Sequence, residues 1–117
     1  MKLKFKRQSF IKGVNMTIRR QFLSSYVGKF SYGTKVDLVG TNGAKFGEGK
    51  IEYIQSMPFC DLTLEQMKYY HFNNYIYADA WNRDWLLEEM QEHYLGFSRY
   101  EIVDLVYFTH DVIVKED

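Results

Sequence analysis

The chain has little cysteine and little proline, and it lacks any long apolar run. Cys60 is the single cysteine among 117 residues, so no disulfide can form within the chain, and no paired Cys/His spacing predicts a zinc site. No apolar stretch approaches the ~20 residues that span a bilayer. The N-terminal lysines are not followed by the apolar segment and cleavage site of a secretory signal. We therefore expect a cytoplasmic protein with no metal, no cofactor and no membrane partner.

Acidic side chains are missing from the first 36 positions, and this segregates the charge of the chain. Those positions carry nine basic residues, whereas residues 60–117 carry four basic and twelve acidic ones. The net charge of +0 therefore divides into +9 for residues 1–36, −1 for 37–59 and −8 for 60–117. Such polarity predicts either a local positive field that attracts phosphates or basic and acidic segments that pair on the folded surface.

Aromatic residues are abundant, at 18% of the chain. With 46% hydrophobic and 26% charged residues, the composition predicts one globular domain over residues 1–117. Most rings are expected in the core, although Tyr and Trp also suit protein interfaces and stacking on bases. The candidate members of such a stacking platform are Tyr70, Tyr77 and Trp81.

Alternation of apolar and polar residues predicts several short strands, at residues 2–6, 16–19, 34–39, 46–55 and 102–108. Asn42-Gly43 predicts a hairpin turn, a bulge is expected near Gly47 and Gly49, and Pro58 ends that strand. Helical spacing or capping signals predict a turn at residues 9–12 and helices at 22–27, from Thr63 to 70 and from 79 to 96. This order predicts an α+β fold with a small, mostly antiparallel sheet curled into a barrel and two to three flanking helices.

Three short segments, at residues 13–19, 33–38 and 61–63, together resemble the ASCH domain family of the PUA-like group. The resemblance follows the order of features over about residues 8–110. It implies a PUA-like β-barrel surrounded by helices and a role in binding or modifying RNA. Some members resemble amidohydrolases that remove an acyl group from a modified cytidine with a Lys, a Thr and a Glu.

The resemblance places the family Thr at Thr17 and its Arg at Arg19. The family Lys, three positions before the Thr, would fall on Val14, which cannot act as a base. The family Glu would fall near Tyr70 and His71, where the sequence has no carboxylate. The candidate catalytic residue is therefore Thr17 alone, and whether the chain is an enzyme stays open.

Phosphate binding is predicted for Lys12, Thr17, Arg19 and Arg20, because a guanidinium matches two phosphate oxygens and stays charged. On a strand, alternate side chains share a face. Thr17 and Arg19 can therefore point into one cleft while Met16 and Ile18 enter the core. The alternative is that both arginines pair with the acidic second half.

Three hypotheses for function follow. The first is RNA or nucleotide binding in a basic cleft. The second is an ASCH-type amidohydrolase or small ribonuclease. The third is a protein-interaction module whose acidic, aromatic second half docks on a basic protein, in which case charge reversal at Glu88, Glu89 and Glu92 matters more than changes at Arg19. Glu89 and His93 are four residues apart and are interpreted as a surface pair rather than a metal site.

Overall fold

Five strands and two α helices make up the described part of the chain. The computed structural model describes residues 2–6, 8–20, 33–71 and 83–114. In chain order its elements are β1 Lys2–Phe5, β2 Asn15–Arg19, β3 Lys35–Gly40, β4 Lys45–Pro58, the 3-10 turn Phe59–Asp61, α1 Leu64–Met67, α2 Arg83–His93 and β5 Ile102–His110. The helix predicted at 22–27 and the beginning of the helix predicted from residue 79 lie outside the described residues.

The strands form one mixed sheet in the order β1-β3-β4-β5-β2. Strand β1 runs parallel to β3, and the other three pairings are antiparallel. The α+β class and the mostly antiparallel sheet are therefore confirmed. Among the described strands β1 and β2 are the two edges of an open sheet, so the barrel and the number of flanking helices stay predictions.

At two places the structure has the local feature that the sequence predicts. At the β3–β4 turn Gly43 has a φ of 83°, its N–H donates to the Gly40 carbonyl at 2.9 Å, and a bulge interrupts the register after Leu38. Before α1 the Thr63 hydroxyl accepts from the Gln66 N–H at 3.3 Å, and the Gln66 side chain accepts from the Thr63 N–H at 2.9 Å. The predicted capping box is confirmed.

The helical turn predicted at residues 9–12 is wrong, because the Asn15 side chain organises this loop instead. Asn15 Oδ1 accepts from the Ile11 N–H at 2.9 Å, and Asn15 Nδ2 donates to the carbonyls of Ile11 at 2.8 Å and Gly13 at 3.2 Å. These bonds satisfy backbone groups that a helical turn would otherwise pair. The loop consequently leads directly into β2.

Apolar side chains pack on both faces of the sheet. One cluster lies under the helices and contains Met16, Ile18, Leu86 and Met90, among others. The other lies on the opposite face and is lined by Leu3, Phe5, Phe10, Val36, Leu38, Ile51, Val106 and Phe108. The alternation predicted for β2 is confirmed, since Met16 and Ile18 belong to the core.

Replacing Asn15 with Ala should lower the free energy of unfolding by about 2–3 kcal/mol, because the loop loses three hydrogen bonds in a buried setting. Chemical denaturation measures the effect. Asn42→Ala is the matched control, since Asn42 makes one exposed bond to the Ala44 N–H and should cost less than about 1 kcal/mol. Equal losses for the two variants would contradict this role of Asn15.

Candidate functional site

Strand β2 has backbone partners on both of its edges. Strand β5 pairs with one edge, opposing Thr17 to Val106. On the other edge the Met16 N–H donates to the Tyr69 carbonyl, and the His71 N–H donates to the Met16 carbonyl at 3.0 Å. This parallel bridge brings Tyr70 and His71 beside Thr17.

A cleft of about 220 Å³ lies between β1, β2, the Tyr70-His71 segment and α2. Its lysine and arginine side chains are Lys4 of β1, Lys6 directly after β1 and Arg19 of β2. Buried and exposed side chains alternate along this segment, so Leu3 and Phe5 enter the core while Lys4 and Lys6 remain exposed. Two edges that are distant in the sheet order therefore contribute the positive charge of one cleft.

Arg19 is held over the cleft by two described contacts. Its Nε donates to the Thr17 hydroxyl at 3.0 Å, and its guanidinium carbon lies 4.8 Å from the centre of the Phe5 ring. A cation over an aromatic face is attracted by the ring quadrupole. Thr17, only 4% exposed, is thus oriented by Arg19 and lines the same cleft.

His71 is 5% exposed and lies against the rings of Phe5 and Phe10, with centroids 5.0 and 5.6 Å away. Its Nδ1 is 3.0 Å from the Ser9 carbonyl oxygen. Because a carbonyl only accepts, the neutral ring carries its hydrogen on Nδ1 and its basic lone pair on Nε2. The fold therefore fixes the tautomer of a histidine that lines the cleft.

Glu89 brings a carboxylate to the cleft and is 8% exposed. Its Oε2 lies 3.8 Å from Nε2 of His93, which forms an ion pair with it when the imidazole is protonated. The interpretation of a surface pair is confirmed for His93, which is exposed, and is wrong for Glu89, which is buried at the wall of the cleft. Across the described ranges, no group of three or more His, Cys, Asp or Glu side chains could hold a metal ion.

Arg20 and Lys12 lie apart from the other predicted phosphate ligands. Arg20 Nε and Nη2 each lie 2.7 Å from Glu101 Oε1, and Nη1 donates to the Leu95 carbonyl at 3.0 Å. Lys12 is exposed in the loop before β2. Neither residue lines the cleft, whereas Thr17 and Arg19 do.

Of the predicted stacking residues, Tyr70 lines the cleft, and Tyr77 and Trp81 lie outside the described residues. Sequence reasoning missed Glu89, His93 and Tyr94 as members of the site. The spacing of these residues on α2 was a signal, because positions 89, 90, 93 and 94 share one face of a helix. Which surface that face would meet was not readable from the spacing.

Two solved structures share this fold. An ASCH domain from Lactobacillus crispatus JV V101 superposes with a TM-score of 0.53 at 11% identity, covering 82% of this chain and 63% of that one. The fold is ASCH-like. Protein EF3133 from Enterococcus faecalis V583, of family DUF984, gives a TM-score of 0.52 at 11% identity, covering 85% of this chain and 63% of that one.

The chain spans less than two thirds of the length of either solved ASCH-like structure. No protein-family model matches its sequence, and no curated protein does. The likeness at 11% identity therefore concerns the fold and confirms the distant resemblance to ASCH domains. None of the helices in the described ranges has the length and apolar character needed to cross a membrane.

The ion pair of Arg20 and Glu101 should contribute to the stability of the fold. We expect a double-mutant cycle of Arg20→Gln and Glu101→Gln to give a coupling energy of about 1 kcal/mol, since the pair is only partly shielded from solvent. Chemical denaturation of the four proteins measures it. The exposed Lys68–Glu65 pair, subjected to the same cycle, should give less than half of that coupling.

Proposed function

We propose that this ASCH-like chain binds RNA or a nucleotide in the cleft between β1, β2 and α2. The observation that carries the proposal is the convergence of Lys4, Lys6 and Arg19 on one cleft with the rings of Tyr70 and Tyr94. Cations that neutralise phosphates and aromatic rings that stack on bases are the two components of single-strand recognition. At about 220 Å³ the cleft is smaller than the ~300–1,000 Å³ pockets of drug-sized ligands, which favours one nucleotide unit.

The charges of the cleft favour a ligand with a phosphate at one end and a base at the other. Lys4 lies on β1 and Lys6 directly after it, whereas Glu89 lies on α2 across the cleft. A carboxylate repels phosphate, but it accepts hydrogen bonds from the amino group of a base such as cytosine. We therefore assign the phosphate to the lysines and Arg19 and the base to the side of Glu89.

Arg19→Gln should weaken binding of a labelled single-stranded RNA and reduce the slope of log K against log salt by about 0.7, the share of one phosphate contact. Arg20→Gln is the matched control, because its guanidinium pairs with Glu101 and does not line the cleft. We expect the control to change stability and leave the salt slope as it is. Fluorescence anisotropy across a salt series measures both.

Two results would overturn the proposal. One is an equal effect of the two substitutions on the salt slope. The other is absence of binding to both the RNA and cytidine monophosphate at low salt, which would turn attention to a protein partner. In that case the exposed Glu88 and Glu92 of α2 would be the first positions for charge reversal.

A hydrolase acting in the same cleft is the second candidate, and one observation favours it. Thr17, His71 and Glu89 line the cleft together, although the family Lys and Glu are not matched in the sequence. In this scheme the Thr17 hydroxyl attacks the acyl carbon, Nε2 of His71 takes its proton, and the Arg19 Nε–H that contacts Thr17 stabilises the developing alkoxide. His71 then gives the proton to the nitrogen of the nucleoside as the C–N bond breaks, and water hydrolyses the acyl ester on Thr17.

Thr17→Val should abolish release of the acyl group from an acylated cytidine, since valine keeps the shape and removes the hydroxyl, and it should weaken binding less than Arg19→Gln does. Thr17→Ser is the rescue control and should retain turnover. Chromatographic detection of the free nucleoside measures the reaction. Turnover that survives in Thr17→Val would remove Thr17 from the chemistry.

A further inference from the structure

Three tyrosines form a row on the face of the sheet that bears the helices. The row lies where the helices leave this face exposed. Tyr53 of β4 is directly opposite Tyr107 of β5, with ring centroids 5.8 Å apart. Tyr69, which follows α1, approaches Tyr107 edge-on at 6.0 Å. Tyr53 is 46% exposed and Tyr69 47% exposed. We call Tyr53, Tyr69 and Tyr107 the tyrosine row.

No residue of the tyrosine row lines the cleft, and Tyr107 points to the opposite face of the sheet from Thr17 and Arg19. Tyr107 opposes Met16 in the β5–β2 pairing, and Val106 opposes Thr17. Successive side chains of a strand point to opposite faces, so Tyr107 shares the face of Met16 while Thr17 and Arg19 occupy the other. Binding at the row would therefore use a surface that the cleft does not include.

Two lysines stand beside the tyrosine row on the same face. Lys35 of β3 is directly opposite Lys50 of β4, and Lys50 is opposite Thr109 of β5, two residues along from Tyr107. Both lysines are exposed, and within the described ranges neither has an ion-pair partner. Like charges directly opposite each other on neighbouring strands destabilise a sheet. An anion bound between them would remove that repulsion.

The lysines line a shallow groove of about 290 Å³ that also includes Glu48 and Asp111. Both carboxylates already have partners, since Glu48 accepts from Lys45 Nζ at 2.6 Å and Asp111 Oδ1 accepts from the Glu48 N–H at 2.8 Å. Burial raises the pKa of Tyr107, and Tyr53 and Tyr69 raise it further. The Tyr107 phenol therefore stays neutral well above neutral pH and adds no charge that would repel phosphate.

We infer that this face binds single-stranded RNA, with bases stacked on Tyr53 and Tyr107 and phosphates held by Lys35 and Lys50. Thr109 and Tyr107 are separated by roughly 7 Å along β5, a distance that one nucleotide can span. Aromatic rings next to cations form the platforms that bind single strands, whereas the cores of protein interfaces are depleted in lysine. The inference extends the proposed RNA function but does not require the cleft to be occupied.

The test is binding of a fluorescently labelled oligouridylate to the whole chain, with cytidine monophosphate present in excess to fill the cleft. Tyr53→Leu/Tyr107→Leu removes the rings but keeps apolar bulk, and it should weaken binding at least tenfold. Lys35→Gln/Lys50→Gln should reduce the salt slope by about 1.4, the share of two phosphates on a single strand. An abasic strand should bind the wild type and the tyrosine variant equally.

Matched controls lie away from this face. Tyr100 is 74% exposed, and Arg20 pairs with Glu101, so Tyr100→Leu and Arg20→Gln should bind as the wild type does. The lysine variant changes only exposed side chains, so it remains informative even if the double tyrosine variant unfolds. Circular dichroism checks the fold of each variant.

Wild-type affinity in both the tyrosine and the lysine variants would overturn the inference. Loss of oligouridylate binding in Arg19→Gln, without loss in the tyrosine or lysine variants, would also overturn it. That result would leave the cleft as the RNA site and the proposed function intact. Unchanged RNA binding with altered self-association of the tyrosine variant would make the face a protein interface. Loss of cytidine monophosphate binding in Arg19→Gln, with oligouridylate binding weakened but not lost, would support both proposals separately.

Discussion

Main-chain hydrogen bonds on both edges of β2 are the constraint on which the rest of the site depends. Strand β5 fixes one edge, and the bonds of Met16 with Tyr69 and His71 fix the other. An edge strand would otherwise expose a row of unpaired backbone groups. With its position set in this way, β2 can bury Thr17 and hold Arg19 against Phe5.

Local features of the sequence sufficed for the elements themselves. The alternation of Leu3 and Phe5 with lysines specifies a strand with one buried face, and Asn42-Gly43 marks the turn between β3 and β4, where Gly43 takes a positive φ that suits glycine. The division of β2 into core and cleft faces follows from the same alternation. Each of these signals acts between residues that are close in sequence, so none needs knowledge of the distant chain.

The partners of those elements could not be predicted in the same way. Arg19 and Arg20 are adjacent and chemically identical, yet one contacts Thr17 and the other contacts Glu101, 81 residues away. Pairing with the acidic second half is therefore met by Arg20, whereas Arg19 lines the cleft. Glu89 was misjudged for a related reason, because its exposure depends on where α2 packs and not on its spacing from His93.

The two proposed binding surfaces share one determinant, which is the register of β2 against β5. Val106 is opposite Thr17 and its neighbour Tyr107 lies in the tyrosine row, so a slip of one residue would exchange the faces of their side chains. The Asn15 loop fixes where β2 begins, and the bridge from Met16 to Tyr70 fixes its free edge. A chain with no net charge can thus present cations on both faces of one sheet, because register rather than composition decides where Lys35 and Arg19 point.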